Sequence, residues 1–369
     1  MNNKLKIAIV HDSFTAFGGA ERVLFYLLKM FPQADVYTSL ISNNFYKQIK
    51  QESQGEVFFS KLSKLPLAIK NPSFFKPYFY HYYWESLNLN RYDVVISSSH
   101  SFCANFVKVK NKHISYIYTP PRFLHEEFNE ISWLKKPLIR ILIEPYFKYL
   151  RTKISKKLKT IDAILVDSIN VQKRLEKYYK IKSEVIYPPV KLAQRKIKKN
   201  NASTQKYLFF SRLVKQKGIE LIIKTFNEND KPLLVIGTSN QQKKWQRLAK
   251  QNIKFLGFVD DKELPEIYKQ SKALIYAAID EDFGMIPVEI MSYGIPIIAF
   301  YDGGTKETVL DQKTGIFFRN YDQKTLNQTI DKFEKMKFNA ADCIKQSKKF
   351  NESNFNKQFL TKIYSLLQS

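Results

Sequence analysis

Cysteine is almost absent: the 369-residue chain has two, Cys103 and Cys343, far apart in sequence. They cannot form a dense disulfide framework or a four-ligand zinc site, so a reducing, cytosolic chain is expected. No apolar run approaches the roughly 18–20 residues that span a bilayer. Met1-Asn2-Asn3-Lys4 leads directly into a short apolar strand, with no apolar leader segment or small-residue cleavage site, so a secretory leader is not expected. No G-x-G-x-x-G follows a strand, which leaves a dinucleotide fingerprint unsupported. No Ser-His-Asp or Cys-His arrangement stands out. Acid is scarce relative to base, with 34 Asp and Glu against 60 Lys and Arg and a formal net charge of +26. Such a surplus suits a polyanionic partner, nucleic acid or an acidic membrane surface. No nucleic-acid recognition motif accompanies it, and the surplus is spread along the chain, 14 within residues 1–190 and 12 beyond them. One dense stretch stands out: residues 133–160 hold nine basic side chains against one acidic, Glu144.

What is present is globular. Hydrophobic residues make up 44%, aromatics 15% and charged residues 25%. The length suits two domains at about 150 residues each. Short apolar runs alternate with amphipathic segments. Strands are expected at Lys6–Val10, Ala34–Leu40, Asp93–Ile96, His113–Tyr118, Ala163–Val166 and Val185–Tyr187. Helices are expected at Ala20–Phe31, Trp133–Leu158 (interrupted at Pro137 and Pro145) and Ser168–Tyr179, the last capped by Ser168. After a polar stretch at 191–204, which reads as a linker, the alternation resumes. Strands are expected at Tyr207–Phe210, Leu233–Ile236, Ile253–Phe258, Ala273–Ala277 and Pro296–Phe300, with helices between them and from Asp322 onward. Strands alternating with helices mean parallel sheets covered on both faces. The expected fold is α/β, two Rossmann-like doubly wound parallel-sheet domains facing across a cleft. Residues 1–190 would form the first domain and 205–350 the second, with ligands bound beyond the carboxyl ends of the strands.

Three loops at such strand ends carry candidate chemistry. Gly18-Gly19-Ala20-Glu21 precedes a helix, where backbone amides and the helix dipole can meet a phosphate; a simple turn reads the same way. Ser211-Arg212-Leu213 is followed by Lys215-Gln216-Lys217-Gly218, two cations able to clamp a diphosphate or merely ordinary charges in a basic chain. Asp280-Glu281-Asp282-Phe283-Gly284-Met285-Ile286-Pro287-Val288-Glu289 puts one carboxylate in a loop and another on the following helix. One could accept hydrogen bonds from sugar hydroxyls and the other from a ribose diol, while the amides near Phe283 to Ile286 face a phosphate. Acidic residues ahead of a helix are also ordinary dipole partners, and Asp280-x-Asp282 is compatible with a metal pair.

Together these motifs resemble the family-4 retaining glycosyltransferases. Glu281 and Glu289 match an E-x7-E pattern. Gly18-Gly19-Ala20-Glu21, Val185-Ile186-Tyr187-Pro188-Pro189-Val190, Arg212 with Lys217, and Gly303-Gly304-x-x-Glu307 fall in the family's order over nearly the whole chain. The resemblance implies a GT-B fold, with a C-terminal helix at 352–369 packed back onto the first, acceptor-binding domain, and the nucleotide sugar held mainly by the second. It implies that Arg212 and Lys217 hold the donor diphosphate, helped by the amides of Gly18 and Gly19. Glu289 would bind the ribose, and Glu281, with the amides of Phe283 and Gly284, the transferred sugar. The family needs no metal or other cofactor, and its retention is ascribed to same-face attack, with the departing phosphate taking the acceptor's proton.

Ile96-Ser97-Ser98-Ser99-His100 and Tyr118-Thr119-Pro120-Pro121-Arg122-Phe123 resemble a subgroup of bacterial surface-polysaccharide mannosyltransferases. That similarity implies a GDP-sugar donor, GDP-mannose foremost and a UDP-sugar second. Tyr118 stands where many of those sequences carry a His, so it and Arg122 are candidates for contact with donor sugar or acceptor. His100, at a strand end, joins Glu281 as a candidate catalytic residue; a buried, satisfied histidine reads the same way. The expected function is hexose transfer to a lipid-linked or saccharide acceptor, for lipopolysaccharide or a related surface polysaccharide. The enzyme would be cytoplasmic and peripheral on the inner face of the cell membrane, held to its anionic surface by residues 133–160, a stretch that reads equally as helix packing within the first domain. The alternatives are a nucleotide-sugar 2-epimerase of the same architecture, a degenerate sugar-nucleotide-binding protein, or a basic nucleic-acid-binding protein.

Overall fold

A computed structural model of the chain describes residues 5–75, 78–125, 137–194 and 205–368. They divide into two compact units, 1–188 with 355–369, and 189–354. Each is built on one all-parallel sheet.

The first sheet has seven strands in the order β3-β2-β1-β4-β5-β6-β7. These are β1 Ile7–His11, β2 Asp35–Thr38, β3 Val57–Phe59, β4 Val94–Ser99, β5 Lys112–Ile117, β6 Ala163–Val166 and β7 Glu184–Val185. Continuous β-branched and apolar runs such as Ile7-Ala8-Ile9-Val10 suit strands covered on both faces. One face buries Val23, Leu24, Leu27 and Leu28 of helix Gly19–Met30, together with Phe355, Phe359 and Ile363 of the C-terminal helix Glu352–Gln368. The other face buries Trp84, Phe102, Phe147, Leu150 and Ile154.

The second sheet has six strands in the order β10-β9-β8-β11-β12-β13. These are β8 Lys206–Phe210, β9 Leu233–Ile236, β10 Ile253–Gly257, β11 Ser271–Tyr276, β12 Ile297–Phe300 and β13 Gly315–Phe318. In each sheet the chain runs outward in one direction, returns to the centre, and then runs outward in the other. The order therefore reverses between β1 and β4, and between β8 and β11. A crevice opens at such a reversal, because the loops leaving the two adjacent strands diverge to opposite faces.

Three local expectations are revised. Strands β3 and β13 were not anticipated. Pro145 does not interrupt its helix, which runs unbroken over Pro137–Leu158, and Pro137 occupies its first position, where no amide hydrogen is required. Ser168 does cap the helix Ile169–Tyr179, accepting from the Val171 amide at 3.1 Å. Residues 133–136 of the basic stretch and 195–204 of the expected linker lie outside the described residues. The start of that linker is tied to the second unit: Lys191 pairs with Asp261 at 2.8 Å, and the Ala193 amide donates to Ser292 Oγ at 2.8 Å. Among the described residues no helix is long and apolar enough to cross a membrane.

Candidate active site

The second unit gathers its candidate residues at the β8/β11 reversal. Arg212 and Lys217 lie on the loop leaving β8, Glu281 on the loop leaving β11. Lys217 Nζ stands 2.5 Å from Glu281 Oε2, both side chains largely covered at 21% and 16% exposure. The buried Tyr276 hydroxyl donates to the same carboxylate oxygen at 2.8 Å. Burial, and then the negative charge of Glu281, pushes the Tyr276 phenol well above its ordinary range, so it stays a donor. Two groups assigned separately in the sequence, one to diphosphate and one to sugar, thus form one pre-aligned pair.

The backbone here is tightly specified. Asp280 adopts a left-handed conformation (φ 54°), and its amide donates to Asp302 Oδ2 at 2.6 Å. The Ile279 amide donates to the Gln216 carbonyl at 3.0 Å, joining the two loops. The Gly304 amide donates to the Glu281 carbonyl at 2.8 Å. A Cβ on Gly303 would stand 2.3 Å from the Glu281 carbonyl oxygen, and one on Gly304 2.3 Å from that of Asp282. The Gly303-Gly304 pair is therefore the floor on which the Glu281 loop rests. Gly284 (φ 86°) opens the helix Met285–Ser292, leaving that helix's first amides at the loop. Phe283 is buried and packs edge-on against Phe350, with ring centroids 5.3 Å apart. Glu289 is buried on the same helix, and the Tyr268 hydroxyl donates to its Oε1 at 3.3 Å. Arg212 is exposed.

In the first unit the β1/β4 reversal is polar throughout. Three consecutive buried serines end β4, and each meets a different partner. Ser97 Oγ lies 2.6 Å from His113 Nε2, Ser98 Oγ 3.0 Å from His11 Nδ1, and Ser99 Oγ donates to Asp12 Oδ2 at 2.9 Å. Asp12 also accepts from the amides of His100 (2.8 Å), Ser101 (2.6 Å) and Ala104 (2.6 Å) and from the Cys103 thiol (3.1 Å). Burial would raise this carboxyl, but His100, the Ser101 and Ala104 amides and His11 outweigh it and bring it down to about 2. One carboxylate thus fastens the loop that carries His100, a loop containing the fully buried Phe102 in a left-handed conformation (φ 72°). Gly18 and Gly19 open the helix Gly19–Met30. Tyr118 is buried, and its hydroxyl faces inward, 2.8 Å from Ser98 Oγ and donating to the Ala20 carbonyl at 3.2 Å. Arg122 Nε donates to Thr119 Oγ1 at 3.2 Å.

Sequence reasoning gave no role to His11, Asp12, Glu21, Ser98, Tyr276 or Asp302. His11-Asp12 at the end of the first strand was the available signal, because strand ends at the reversal carry ligands.

Two nucleotide-fold sheets, each with polar loops at its reversal point, define a two-domain Rossmann-like architecture. Comparison with known proteins identifies it. Residues 17–194 match the family model "Glycosyltransferase Family 4" and residues 190–350 match "Glycosyl transferases group 1". A Klebsiella pneumoniae protein described as an uncharacterized 41.2 kDa protein in the cps region is 28% identical over 269 residues, 67% of this chain and 71% of its own. An alpha-1,3/1,6-mannosyltransferase of Kluyveromyces lactis is 25% identical over 316 residues, 67% of this chain and 60% of its own. The crystal structure of Anabaena HepE in complex with UDP and glucose superposes with a TM-score of 0.70 at 18% identity, covering 98% of this chain and all of that one. The fold is GT-B, and the chain belongs to the glycosyltransferases that the two family models describe.

Proposed function

We propose that this chain is a retaining glycosyltransferase that moves a hexose from a nucleoside-diphosphate sugar to a lipid-linked or saccharide acceptor in bacterial surface-polysaccharide assembly, without a metal in the transfer step. The Lys217–Glu281 pair at the β8/β11 reversal is the observation that carries this reading. A cation and a carboxylate side by side match a donor whose phosphate and sugar hydroxyls are themselves neighbours. Lys217 and Arg212 take the diphosphate, charge-assisted and partly desolvated. Glu289 accepts from the ribose diol. Glu281 accepts from the hexose hydroxyls, and the amides of Phe283 and Gly284 donate to the hexose oxygens and orient the sugar. As the glycosidic bond breaks, negative charge grows on the leaving phosphate, where fixed cations and amides lower the barrier most. His100 and Arg122 are the first unit's candidates for sugar or acceptor contact, and Gly18 and Gly19 give it a phosphate-facing turn. Tyr118, its hydroxyl committed to Ser98 and Ala20, supports Ser98. The mannosyltransferase relative favours GDP-mannose; UDP in the HepE complex keeps a UDP-hexose second.

A calorimetric panel of GDP, UDP, ADP and CDP and their hexose conjugates, each with and without EDTA, tests this. One nucleoside diphosphate should bind at least tenfold tighter than the others, with the same affinity in EDTA. Its sugar should be consumed only when an acceptor is present. Consumption without acceptor, yielding an isomeric sugar, would make the protein an epimerase, and no nucleotide binding would overturn the donor site.

The proposed location is the inner face of the cell membrane. Helix Pro137–Leu158 divides along its length: Phe147, Leu150 and Ile154 enter the core, while Leu138, Ile141 and Leu142 are 77%, 69% and 81% exposed. Three such side chains at helical spacing, with Lys148, Lys156 and Lys159 exposed beyond them, suit an anionic lipid interface. Lys153 and Lys157 serve the fold instead, donating to the carbonyls of Tyr80 (2.8 Å) and Val107 (3.0 Å). Replacing Leu138, Ile141 and Leu142 by Ser should reduce binding to phosphatidylglycerol vesicles at least tenfold and leave nucleotide affinity unchanged. Undiminished vesicle binding would remove the helix from the interface.

A further inference from the structure

We infer that His11, Glu21 and His100 form a binding site for a borderline divalent transition cation of the Zn²⁺ class, which sugar transfer does not require. One potential ligand atom from each residue lies within 4.8 Å of the others. His11 is fully buried, Glu21 is nearly so, and His100 is half-buried. The three come from β1, from the first turn of the helix that follows it, and from the loop after β4. The parallel pairing of β1 with β4 brings them together.

The hydrogen bonds around His11 fix its tautomer. The Ala20 carbonyl can only accept, so the Tyr118 hydroxyl donates to it. The Tyr118 oxygen then accepts from Ser98, which spends its single proton. Ser98 Oγ must therefore accept from His11 Nδ1. With its proton on Nδ1, His11 in its uncharged form presents a bare lone pair at Nε2. That atom is buried without a hydrogen-bond partner and stands 3.5 Å from Glu21 Oε1. A lone pair facing a carboxylate in a water-poor interior is repulsive unless a positive charge lies between them, either a second ring proton, which a metal displaces, or the metal cation itself. Zinc bonds to His nitrogen and carboxylate oxygen are about 2.0–2.1 Å, so a tetrahedral centre separates two ligand atoms by about 3.4 Å. The His11–Glu21 distance already matches. His100, on a partly exposed ring, needs only a modest turn.

The surroundings have the character of an outer shell. A metal-bound histidine commonly hands its other nitrogen to a hydroxyl or carboxylate. Ser98 does this for His11, and Asp12 Oδ2 lies 3.8 Å from His100 Nδ1. Two imidazoles and one carboxylate select Zn²⁺, Co²⁺, Ni²⁺ or Cu²⁺ over Mg²⁺ and Ca²⁺, which prefer six or more oxygens. A cation held there would occupy His100, so it would compete with sugar transfer rather than serve it.

The test is titration of the full-length protein, stripped with EDTA and exchanged into chelator-free buffer, with Co²⁺. One equivalent should develop visible d–d bands of an imidazole-bound, low-coordinate ion, and Zn²⁺ should bleach them stoichiometrically. Glu21→Gln and His11→Asn should each weaken Co²⁺ binding by roughly a hundredfold. Ser98→Ala, which keeps all three ligands, should weaken it by about tenfold or more. An unchanged near-ultraviolet circular dichroism spectrum and thermal unfolding midpoint would show that the variants are folded, and Ser98→Ala decides the matter if the two ligand variants are not. Absence of a one-to-one Co²⁺ site would overturn the inference, as would bands that persist unchanged in the folded variants. The nucleotide panel is read separately, so the donor site and the cation site stand or fall independently.

Discussion

Glu281→Gln will bind the preferred nucleoside diphosphate as tightly as the parent yet lose about two to three orders of magnitude in turnover, whereas Lys217→Ala will lose affinity first. The two side chains touch at 2.5 Å, so a purely structural ion pair would make their variants look alike. The proposed chemistry separates them. Lys217 meets a charge that the bound diphosphate already carries, so its loss appears in binding. A hydrogen bond to a charged group contributes about 1.5–3 kcal/mol, or roughly ten- to a hundredfold in affinity. Glu281 meets the hexose as it acquires positive character, so its carboxylate stabilises the transition state more than the ground state. Removing one such preorganised group typically costs about 10²–10³ in kcat. Glutamine can still accept from the Tyr276 hydroxyl, which keeps the loop in place and isolates the effect of charge. Calorimetry with the nucleoside diphosphate and steady-state kinetics with the nucleotide sugar separate the two quantities. Equal losses in both, for both variants, would reduce the pair to a structural contact.

The division between what was legible in the sequence and what was not follows from separation along the chain. Arg212 and Lys217, or Glu281 and Glu289, are joined by one loop or one helical segment, so their spacing already implies a common place. His11 is 87 residues from Ser98 and still further from His100, and only the pairing of His11 with Ser98 across β1 and β4 makes it their neighbour. Nothing local marks Ser98 as more than one serine in a run of three. The missed strands have a related cause. β3 has three residues at a sheet edge, with Phe58 and Phe59 both partly exposed, and β13 has four residues beginning with glycine at the opposite edge of the other sheet. Neither supplies the long buried run that announces a central parallel strand. Pro145 misled for a different reason. A proline ordinarily costs a helix interior about 3 kcal/mol, but here Phe147, Leu150 and Ile154 bury against the core on its far side and hold the helix together.

Gly303-Gly304 was legible as a motif, but its reason was not, and that reason leads to the second large effect. Gly304→Ala should lower stability by about 2–3 kcal/mol and turnover by roughly a hundredfold, although Gly304 carries no side chain to meet a substrate. The added methyl would stand 2.3 Å from the Asp282 carbonyl oxygen, 2.5 Å from Phe283 Cα and 2.8 Å from the Asp282 carbonyl carbon. All three are backbone atoms, so no rotamer change relieves the clash, and overpacking of this kind costs about 1–3 kcal/mol. The yielding part must be the 281–283 segment, which the Gly304 amide also anchors through the Glu281 carbonyl. Moving that segment displaces Glu281 from Tyr276 and Lys217, and a displacement near 1 Å at a reacting centre can cost a hundredfold. Gly257→Ala is the control. Gly257 adopts a positive φ (71°), whereas Gly304 is right-handed (φ −68°), but no atom lies within 4 Å of the carbon added at Gly257. It should cost about 1 kcal/mol of backbone strain and leave turnover intact. Thermal unfolding and steady-state kinetics on both variants decide the matter. If Gly304→Ala turns over like the parent, the glycine pair is not the support of the Glu281 loop, and if both variants lose activity equally, general destabilisation rather than displacement is the cause.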